Sequence, residues 1–427
     1  MTYAETLDYM FNALPMFQRI GAAAFKKDLS NPLALCKHLG NPEQKIKTIH
    51  VAGTNGKGST SHMLAAILMK SGYKVGLYTS PHLKSFTERI KVDGTCISEE
   101  AVVAFIAANR SYLDELKPSF FEMTVGMAFW YFAKEQVDIA VIEVGMGGRL
   151  DSTNVIVPEV SIITNIGYDH MQFLGDTLPM ISAEKAGIIK HNVPVVISHT
   201  QEEIISVFQQ QANAHNSMLY FAEESYQVER MADRQGLASY RVEGDAKLVL
   251  HVQLLGNYQA KNLPGVLKTI DVLQTKGWTI PMDAMQQGLQ SVIDLTGLKG
   301  RWQILAEKPL LICDTGHNED GIRMILDQLK QYEYHQLWMV LGMVNDKDVS
   351  KILSLLPKAA QFIFCQASIP RAMSAEDLAK QAVSAGLQGV VIPNVNEAIE
   401  FAKKKAAPED LIFIGGSTFV VAEINDI

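Results

Sequence analysis

Short apolar segments alternate with amphipathic segments along most of the chain. Four apolar runs lie in the first half of the sequence, at residues 46–51, 74–79, 137–144 and 160–166. They are rich in Val and Ile, as is typical of strands buried on both faces of a parallel sheet. Helical patterns over 59–70 and 121–136 separate them. This alternation predicts a doubly wound α/β sheet.

The pattern changes twice further along the chain. Residues 220–255 carry shorter alternating segments, which predict an antiparallel appendage. Helices are expected to begin near Asn257 and to cover 282–293. Residues 294–303 contain two glycines and are interpreted as a linker. Strands and helices then alternate again, so the sequence predicts two domains, a larger one over 1–296 and a smaller, Rossmann-like α/β domain over 297–427.

Composition and charge exclude several classes of protein. The chain has 427 residues, of which 48% are hydrophobic and 20% charged, which excludes a disordered, collagen-like or coiled-coil chain. Its 38 Lys and Arg against 46 Asp and Glu give a net charge of −8, which argues against binding to nucleic acid or anionic membranes. Four scattered cysteines, no signal peptide and no membrane-length apolar run predict a cytoplasmic protein.

The strongest local signal is the sequence IHVAGTNGKGSTS at residues 49–61, where a predicted strand enters a glycine-rich turn and then a helix. Such a turn presents backbone N–H groups to phosphate, and a lysine can reach the terminal phosphates. The general phosphate-loop pattern has glycine where Val51 stands and has no residue equivalent to Gly58. The candidate nucleotide ligands are Gly53, Thr54, Asn55, Gly56, Lys57, Gly58, Ser59 and Thr60.

A second group of polar residues follows other predicted strands. Glu143 lies near the end of one strand, and His170 lies just past the end of another. Ligands of open α/β sheets bind at the carboxyl ends of the strands, so both residues could hold a divalent metal against phosphates. The alternatives are a capping or ion-pairing role for Glu143, a core or surface role for His170, and a solvated helical position for Lys185.

Several motifs in order resemble the folylpolyglutamate synthase/dihydrofolate synthase family of the Mur-ligase superfamily. In the first domain they are GTNGKGS (53–59), SPHLKSFTERI (80–90), SFFEMT (119–124), EVGMGGRLDSTN (143–154), NIGYDH (165–170) and EKAGIIK (184–190). In the remainder they are LLGNYQAKN (254–262), GRWQ (300–303), CDTGHN (313–318), NDKD (345–348) and GGS (415–417). The resemblance covers most of the chain. It implies that 1–296 is a P-loop ATPase-like domain that also carries the folate-substrate region, and that 297–427 is the glutamate-ligase domain.

The activity that the resemblance implies is ATP-dependent ligation of L-glutamate to a folate or dihydropteroate carboxylate, through an acyl phosphate. Lys57, His170 and Lys185 would be catalytic, with Lys185 at the position of a carbamylated lysine. Ser80, Glu143 and His170 would bind Mg²⁺ at two sites, and Asn262 and Arg301 would contact ATP. Residues expected at the substrates are Phe121, Glu122, Thr124, Arg149, Asp151, Asp314, His317 and Ser417. Phe121 could instead belong to the core, and Arg301 to a domain-interface ion pair.

Two departures from the family pattern affect the C-terminal contacts. Tyr258 stands where the family often has histidine, and residues 314–319 lack the usual alanine and proline. The acceptor is open between dihydropteroate, reduced folates and both, although a bifunctional enzyme is favoured. The alternatives are another Mur-type amino-acid ligase and a nucleotide-dependent switch module. We expect small-molecule substrates only, no nucleic-acid or membrane partner, and a monomer.

Overall fold

The computed structural model describes residues 1–12, 28–244, 247–345, 349–425 and 427. These residues form two compact units. The first comprises Met1–Gln253 and Tyr258–Gly297, and the second comprises Leu254–Asn257 and Leu298–Ile427. In the described part of the chain, no helix is both long and apolar enough to cross a membrane. Most of the NDKD segment, and the start of the helix predicted after it, fall outside the described residues.

An eight-stranded sheet forms the centre of the first unit. Its strands are β1 (Lys47–Ala52), β2 (Val75–Tyr78), β3 (Ile90–Val92), β4 (Thr95–Cys96), β5 (Ile139–Glu143), β6 (Val160–Ile163), β7 (Val195–Ile197) and β8 (Leu219–Phe221). Their order is β4-β3-β2-β5-β1-β6-β7-β8; β3 pairs antiparallel with both β2 and β4, and the other neighbours pair parallel. The buried Val- and Ile-rich runs therefore form the parallel strands, as their continuous apolar character predicts.

The first unit also contains helices, several of which connect these strands. The α-helices are Tyr3–Asn12, Ser30–His38, Lys57–Lys70, Glu99–Leu116, Phe120–Glu135, Met171–Leu174, Leu178–Ala186, Ile205–Ala214, Ala222–Ser225, Gln259–Thr275, Met282–Gln290 and Val292–Thr296. Short 3-10 helices cover Pro42–Gln44, Phe86–Arg89 and Glu202–Ile204. The single helix expected over 282–293 is wrong in detail, because the chain leaves the helical region at Ser291 (ψ 27°) and a second helix begins at Val292.

The predicted antiparallel appendage is a separate three-stranded sheet. It contains β9 (Gln227–Arg234), β10 (Leu237–Glu243) and β11 (Leu248–Val252), in the order β11-β10-β9. The start of the predicted segment was wrongly assigned, since β8 pairs parallel with β7 in the main sheet. A three-residue strand is too short for alternation to be told from continuous burial.

The second unit is built on a six-stranded sheet with the order β12-β13-β17-β14-β15-β16. The strands are β12 (Gln303–Glu307), β13 (Leu310–Cys313), β14 (Leu337–Leu341), β15 (Gln361–Phe364), β16 (Gly389–Val391) and β17 (Leu411–Gly415). The helices are Glu319–Leu329, Val349–Leu355, Ala375–Ser384, Val395–Lys405 and Thr418–Glu423. The last strand inserts between β13 and β14, so the strand order reverses there. Such a switch point is where open α/β sheets bind ligands.

Candidate functional site

The glycine-rich loop connects β1 to the helix Lys57–Lys70, at the carboxyl edge of the first sheet. Gly53 and Gly56 have φ values of 144° and 86°, which favour glycine. A Cβ on Gly53 would overlap the Thr164 hydroxyl and lie 3.1 Å from the Thr164 backbone nitrogen. The loop can therefore follow this path only because residue 53 has no side chain.

The segment that follows β6 is hydrogen-bonded to the glycine-rich loop. The backbone N–H of Thr54 donates to the Asn165 carbonyl (2.9 Å), and that of Asn55 donates to Asn165 Oδ1 (2.8 Å). The Thr164 hydroxyl donates to the Asn55 carbonyl (2.5 Å). These bonds fix the loop before any ligand is present, which lowers the ordering cost of binding.

Two lysine ammonium groups converge on one backbone carbonyl of this loop. Lys57 Nζ donates to the Gly53 carbonyl at 3.0 Å, and the buried Lys185 Nζ donates to the same oxygen at 2.9 Å. Burial, and then the positive charge of Lys57, lower the pKa of Lys185 to about 7, while Asp169 and Asp151 partly oppose this. Positive charge concentrated at a loop of this kind suits a phosphate group.

Side chains from a distant helix support the first turn of the loop helix. Gln259 Nε2 donates to Ser59 Oγ (3.2 Å), and Asn262 Nδ2 donates to Gln259 Oε1 (2.7 Å). Thr60 is buried, and its hydroxyl has no hydrogen-bond partner among the described residues. Asn262 was predicted to contact ATP. Gln259 was not singled out, although it lies in the same motif.

Acidic residues line the neighbouring strand ends. Glu143 is the last residue of β5, pairs in register with Val51 of β1, and accepts a hydrogen bond from the Ser80 backbone N–H (3.0 Å). His170 has a left-handed backbone (φ 51°), and its Nε2 lies 4.0 Å from Asp169 Oδ1. Asp169 was missed by the sequence reasoning, although it directly precedes His170 and acts electrostatically on Lys185.

These donors fit a hard divalent ion. In the described part of the chain, no three His, Cys, Asp or Glu side chains converge as a metal-binding group. Mg²⁺ is usually held by one or two carboxylates together with phosphates and water, so a buried Glu143 beside a phosphate loop matches its needs.

The residues predicted at the pteridine-bearing substrate form two groups, Phe121 and Arg149 in one, and Glu122, Thr124 and Asp151 in the other. Phe121 packs against Gly145, and Arg149 is 56% exposed with its guanidinium 2.8 Å from Glu184. The polar atoms of the other three are used inside the protein. Glu122 accepts from the Ser119 N–H (2.6 Å), the Thr124 hydroxyl donates to the Phe120 carbonyl (2.7 Å), and Asp151 accepts from the Met146 N–H (2.9 Å).

The predicted residues of the second unit surround its switch point. Asp314, directly after β13, accepts from the Trp302 and Gly316 backbone N–H groups, both at 2.7 Å. His317 Nδ1 donates to the Thr315 carbonyl (2.9 Å), and Arg301 bonds the Thr315 hydroxyl. Ser417, after β17, caps the last helix. The structure thus brings all four to the carboxyl edge of this sheet.

Comparison with known proteins identifies the family. The Mur ligase middle domain family matches residues 51–269, and the family described as Mur ligase, glutamate ligase domain matches residues 300–418. The dihydrofolate synthase/folylpolyglutamate synthase of Bacillus subtilis is 32% identical over 418 residues, which cover 94% of each chain. The chain belongs to the folylpolyglutamate synthase/dihydrofolate synthase family of the Mur ligases. The predicted family, the α/β fold class and the enzyme class, a ligase, are thereby confirmed.

Other members of the family differ in length and in bound ligands. A probable bifunctional folylpolyglutamate synthase/dihydropteroate synthase of Haloferax volcanii is 33% identical over 99% of this chain, which spans 50% of that relative's length. Escherichia coli FolC in complex with DHPP and ADP has a TM-score of 0.86 and 28% identity, covering 99% of this chain and 96% of that one. A bifunctional family member with Mn, AMPPNP and L-glutamate bound has a TM-score of 0.83, 28% identity and coverages of 99% and 97%.

Proposed function

We propose that the protein joins L-glutamate to the carboxylate of dihydropteroate or a reduced folate, with ATP as the phosphoryl donor. The single observation that carries this proposal is the convergence of Lys57 and Lys185 on the Gly53 carbonyl, at a loop built for phosphate and beside Glu143. The ligands named in the structures of family members, ADP, AMPPNP, DHPP and L-glutamate, support the same substrates.

Each residue of the loop region receives a role in this reaction. The loop Gly53–Thr60 would bind the phosphates through its backbone, with Lys57 nearest the transferred group, and Asn262 and Arg301 would contact the nucleotide. Phosphoryl transfer needs orientation and neutralised charge more than covalent help. The acceptor carboxylate would take the phosphoryl group, and the glutamate amine would then displace phosphate from the acyl phosphate.

Ser80 and Glu143 would hold one Mg²⁺, and His170 with Lys185 a second. Bound ions would neutralise charge on the phosphate oxygens. For Lys185 to act there, its amine must first add CO₂ and release a proton, because a carbamate attracts Mg²⁺ and an ammonium repels it. The pKa of about 7 supports this step, since only the neutral amine attacks CO₂.

The remaining assignments concern the two organic substrates. Phe121 and Arg149 would face the pteridine-bearing acceptor, while Glu122, Thr124 and Asp151 would shape that region from within. Asp314, His317 and Ser417 would position glutamate at the switch point of the second sheet. On this proposal residues 1–296 carry ATP and the acceptor, and 297–427 carry glutamate. We further propose a cytoplasmic monomer that needs no nucleic acid or membrane.

The experiment supplies purified protein with Mg-ATP, labelled glutamate, and either dihydropteroate or tetrahydrofolate, and resolves the products by mass. Lys57→Ala should abolish ligation with either acceptor, because it removes a charge at the phosphate loop. Lys70→Ala, at the opposite end of the same helix, is the matched control and should retain activity.

Two outcomes would contradict the proposal. Full turnover of Lys57→Ala would refute the phosphate-loop assignment. Phosphate release that ignores both glutamate and acceptor would instead indicate a nucleotide-dependent switch.

A further inference from the structure

A buried chain of hydrogen bonds leads from the middle of β1 to the loop after β5. His50, fully buried in β1, contacts the Thr153 hydroxyl through its Nε2 (2.9 Å). The Thr153 hydroxyl donates to Asp151 Oδ1 (2.5 Å), which also accepts from the Thr153 N–H (3.0 Å). Asp151 Oδ2 accepts from the Met146 N–H (2.9 Å). Three side chains thus tie the core strand to the 145–151 loop.

The direction of each bond in this chain is fixed. A hydroxyl has one proton, and Thr153 gives it to Asp151, so the hydroxyl must accept from His50. Burial, followed by the charge of Lys190, lowers the pKa of His50 to about 3, so the ring is neutral with one N–H. That proton lies on Nε2, while Nδ1 has no hydrogen-bond partner among the described residues. His50 therefore donates specifically to Thr153.

The 145–151 loop in turn lies directly on the backbone that carries Lys185. A Cβ on Gly148 would lie 2.8 Å from the carbonyl oxygens of both Glu184 and Lys185. The Arg149 N–H donates to the Glu184 carbonyl (2.7 Å). A shift of this loop must therefore move Lys185.

These contacts form a closed ring of interacting segments, which runs from β1 through the 145–151 loop and Lys185 back to β1. The strand that contains His50 continues into Gly53, whose carbonyl accepts from Lys185 Nζ (2.9 Å). We propose that His50 is a positioning residue: through Thr153 and Asp151 it fixes Lys185 against the phosphate loop. The inference rests on the proposed function, because it assigns Lys185 to the reaction. It gives Asp151 a support role in place of direct substrate contact.

The chain offers a matched set of variants. Thr153→Val removes the hydroxyl at almost constant volume, and Thr153→Ser keeps it. His50→Leu removes the donor, and His50→Gln restores an N–H near the position of Nε2. Thr48→Val is the control, since Thr48 is equally buried, lies two residues before His50 on the same face of β1, and its hydroxyl has no partner among the described residues.

We expect Thr153→Val and His50→Leu to lower kcat by about 10- to 100-fold, because small displacements of a reacting group cost rate steeply. The KM for glutamate should stay unchanged. Thr153→Ser, His50→Gln and Thr48→Val should stay near the wild-type kcat. The double variant His50→Leu/Thr153→Val should lose no more than either single change, since both break one chain.

Wild-type kcat in Thr153→Val and His50→Leu would overturn the inference, and so would a loss in Thr153→Ser equal to that in Thr153→Val. Hydrogen–deuterium exchange provides a readout that does not depend on the reaction. Faster exchange confined to 145–151 and 184–188 in Thr153→Val supports the ring, and unchanged exchange there refutes it. Absence of ligation by the wild-type protein would refute the proposed function alone, and exchange would still decide the positioning role.

Discussion

Gly53→Ala tests whether the path of the loop creates the site. Two costs follow from the structure. The φ of 144° is strained for alanine by about 1–3 kcal/mol, and the new methyl group would overlap the Thr164 hydroxyl. Moving Thr164 aside breaks its bond to the Asn55 carbonyl (2.5 Å), which costs about 1 kcal/mol more. Because the Thr164 backbone is also close, the loop itself must shift and carry the Gly53 carbonyl away from Lys57 and Lys185.

We therefore expect Gly53→Ala to lower kcat/KM for ATP by about a hundredfold and the free energy of unfolding by about 2–4 kcal/mol. The assays are steady-state ligation and urea unfolding. Gly72→Ala is the matched control, since Gly72 also has a positive φ (89°) but nothing within 4 Å of a new Cβ. It should lose stability from strain alone and keep its ATP kinetics. Wild-type kcat/KM for ATP in Gly53→Ala would show that the path of the loop at Gly53 does not create the site.

Two further predictions concern buried titratable groups. The pKa of His50 is about 3 in the folded protein and 6.5 ordinarily, so the unfolded state binds more protons between these two pH values. The free energy of unfolding should therefore fall as the pH drops below about 6.5, and it should fall less in His50→Gln. Acid titration followed by circular dichroism measures this. Lys185→Ala should lose activity and regain part of it with acetate, which restores a carboxylate, whereas rescue by methylamine instead would indicate that Lys185 acts as an ammonium.

Part of the site could be predicted because its residues lie at strand ends. The apolar runs of β1 and β5 mark buried parallel strands, and parallel strands end at one edge, so the loop at Gly53 and Glu143 had to be neighbours. The in-register pairing of Val51 with Glu143 shows that these two strand ends are adjacent. Asp314 and Ser417 were predicted only from the family resemblance, and the structure places them after β13 and β17, two strands that are adjacent in the second sheet.

Some roles were readable from the sequence but were not recognised. Ser119 and Glu122 have the spacing of a capping box, and the structure forms it at the start of the helix Phe120–Glu135. The Asp151 carboxylate accepts a hydrogen bond from the backbone N–H of Thr153, two residues ahead, as Asp side chains often do in turns. Both patterns indicate that these carboxylates organise the backbone. The bond between His50 and Thr153, in contrast, spans 103 residues, and no local pattern predicts it.

The two lysines of the EKAGIIK motif have different surroundings, and only the tertiary structure reveals the difference. Lys185 and Lys190 are five residues apart, and both are buried enough for their pKa to be lowered. Lys190 donates to the Asn154 carbonyl, whereas Lys185 donates to the Gly53 carbonyl beside a second ammonium. At a pKa of about 7, a substantial fraction of Lys185 is neutral near pH 7, whereas an ordinary lysine is almost entirely charged there. Deeper burial, together with the charge of Lys57, therefore favours a neutral amine at Lys185 more than at Lys190.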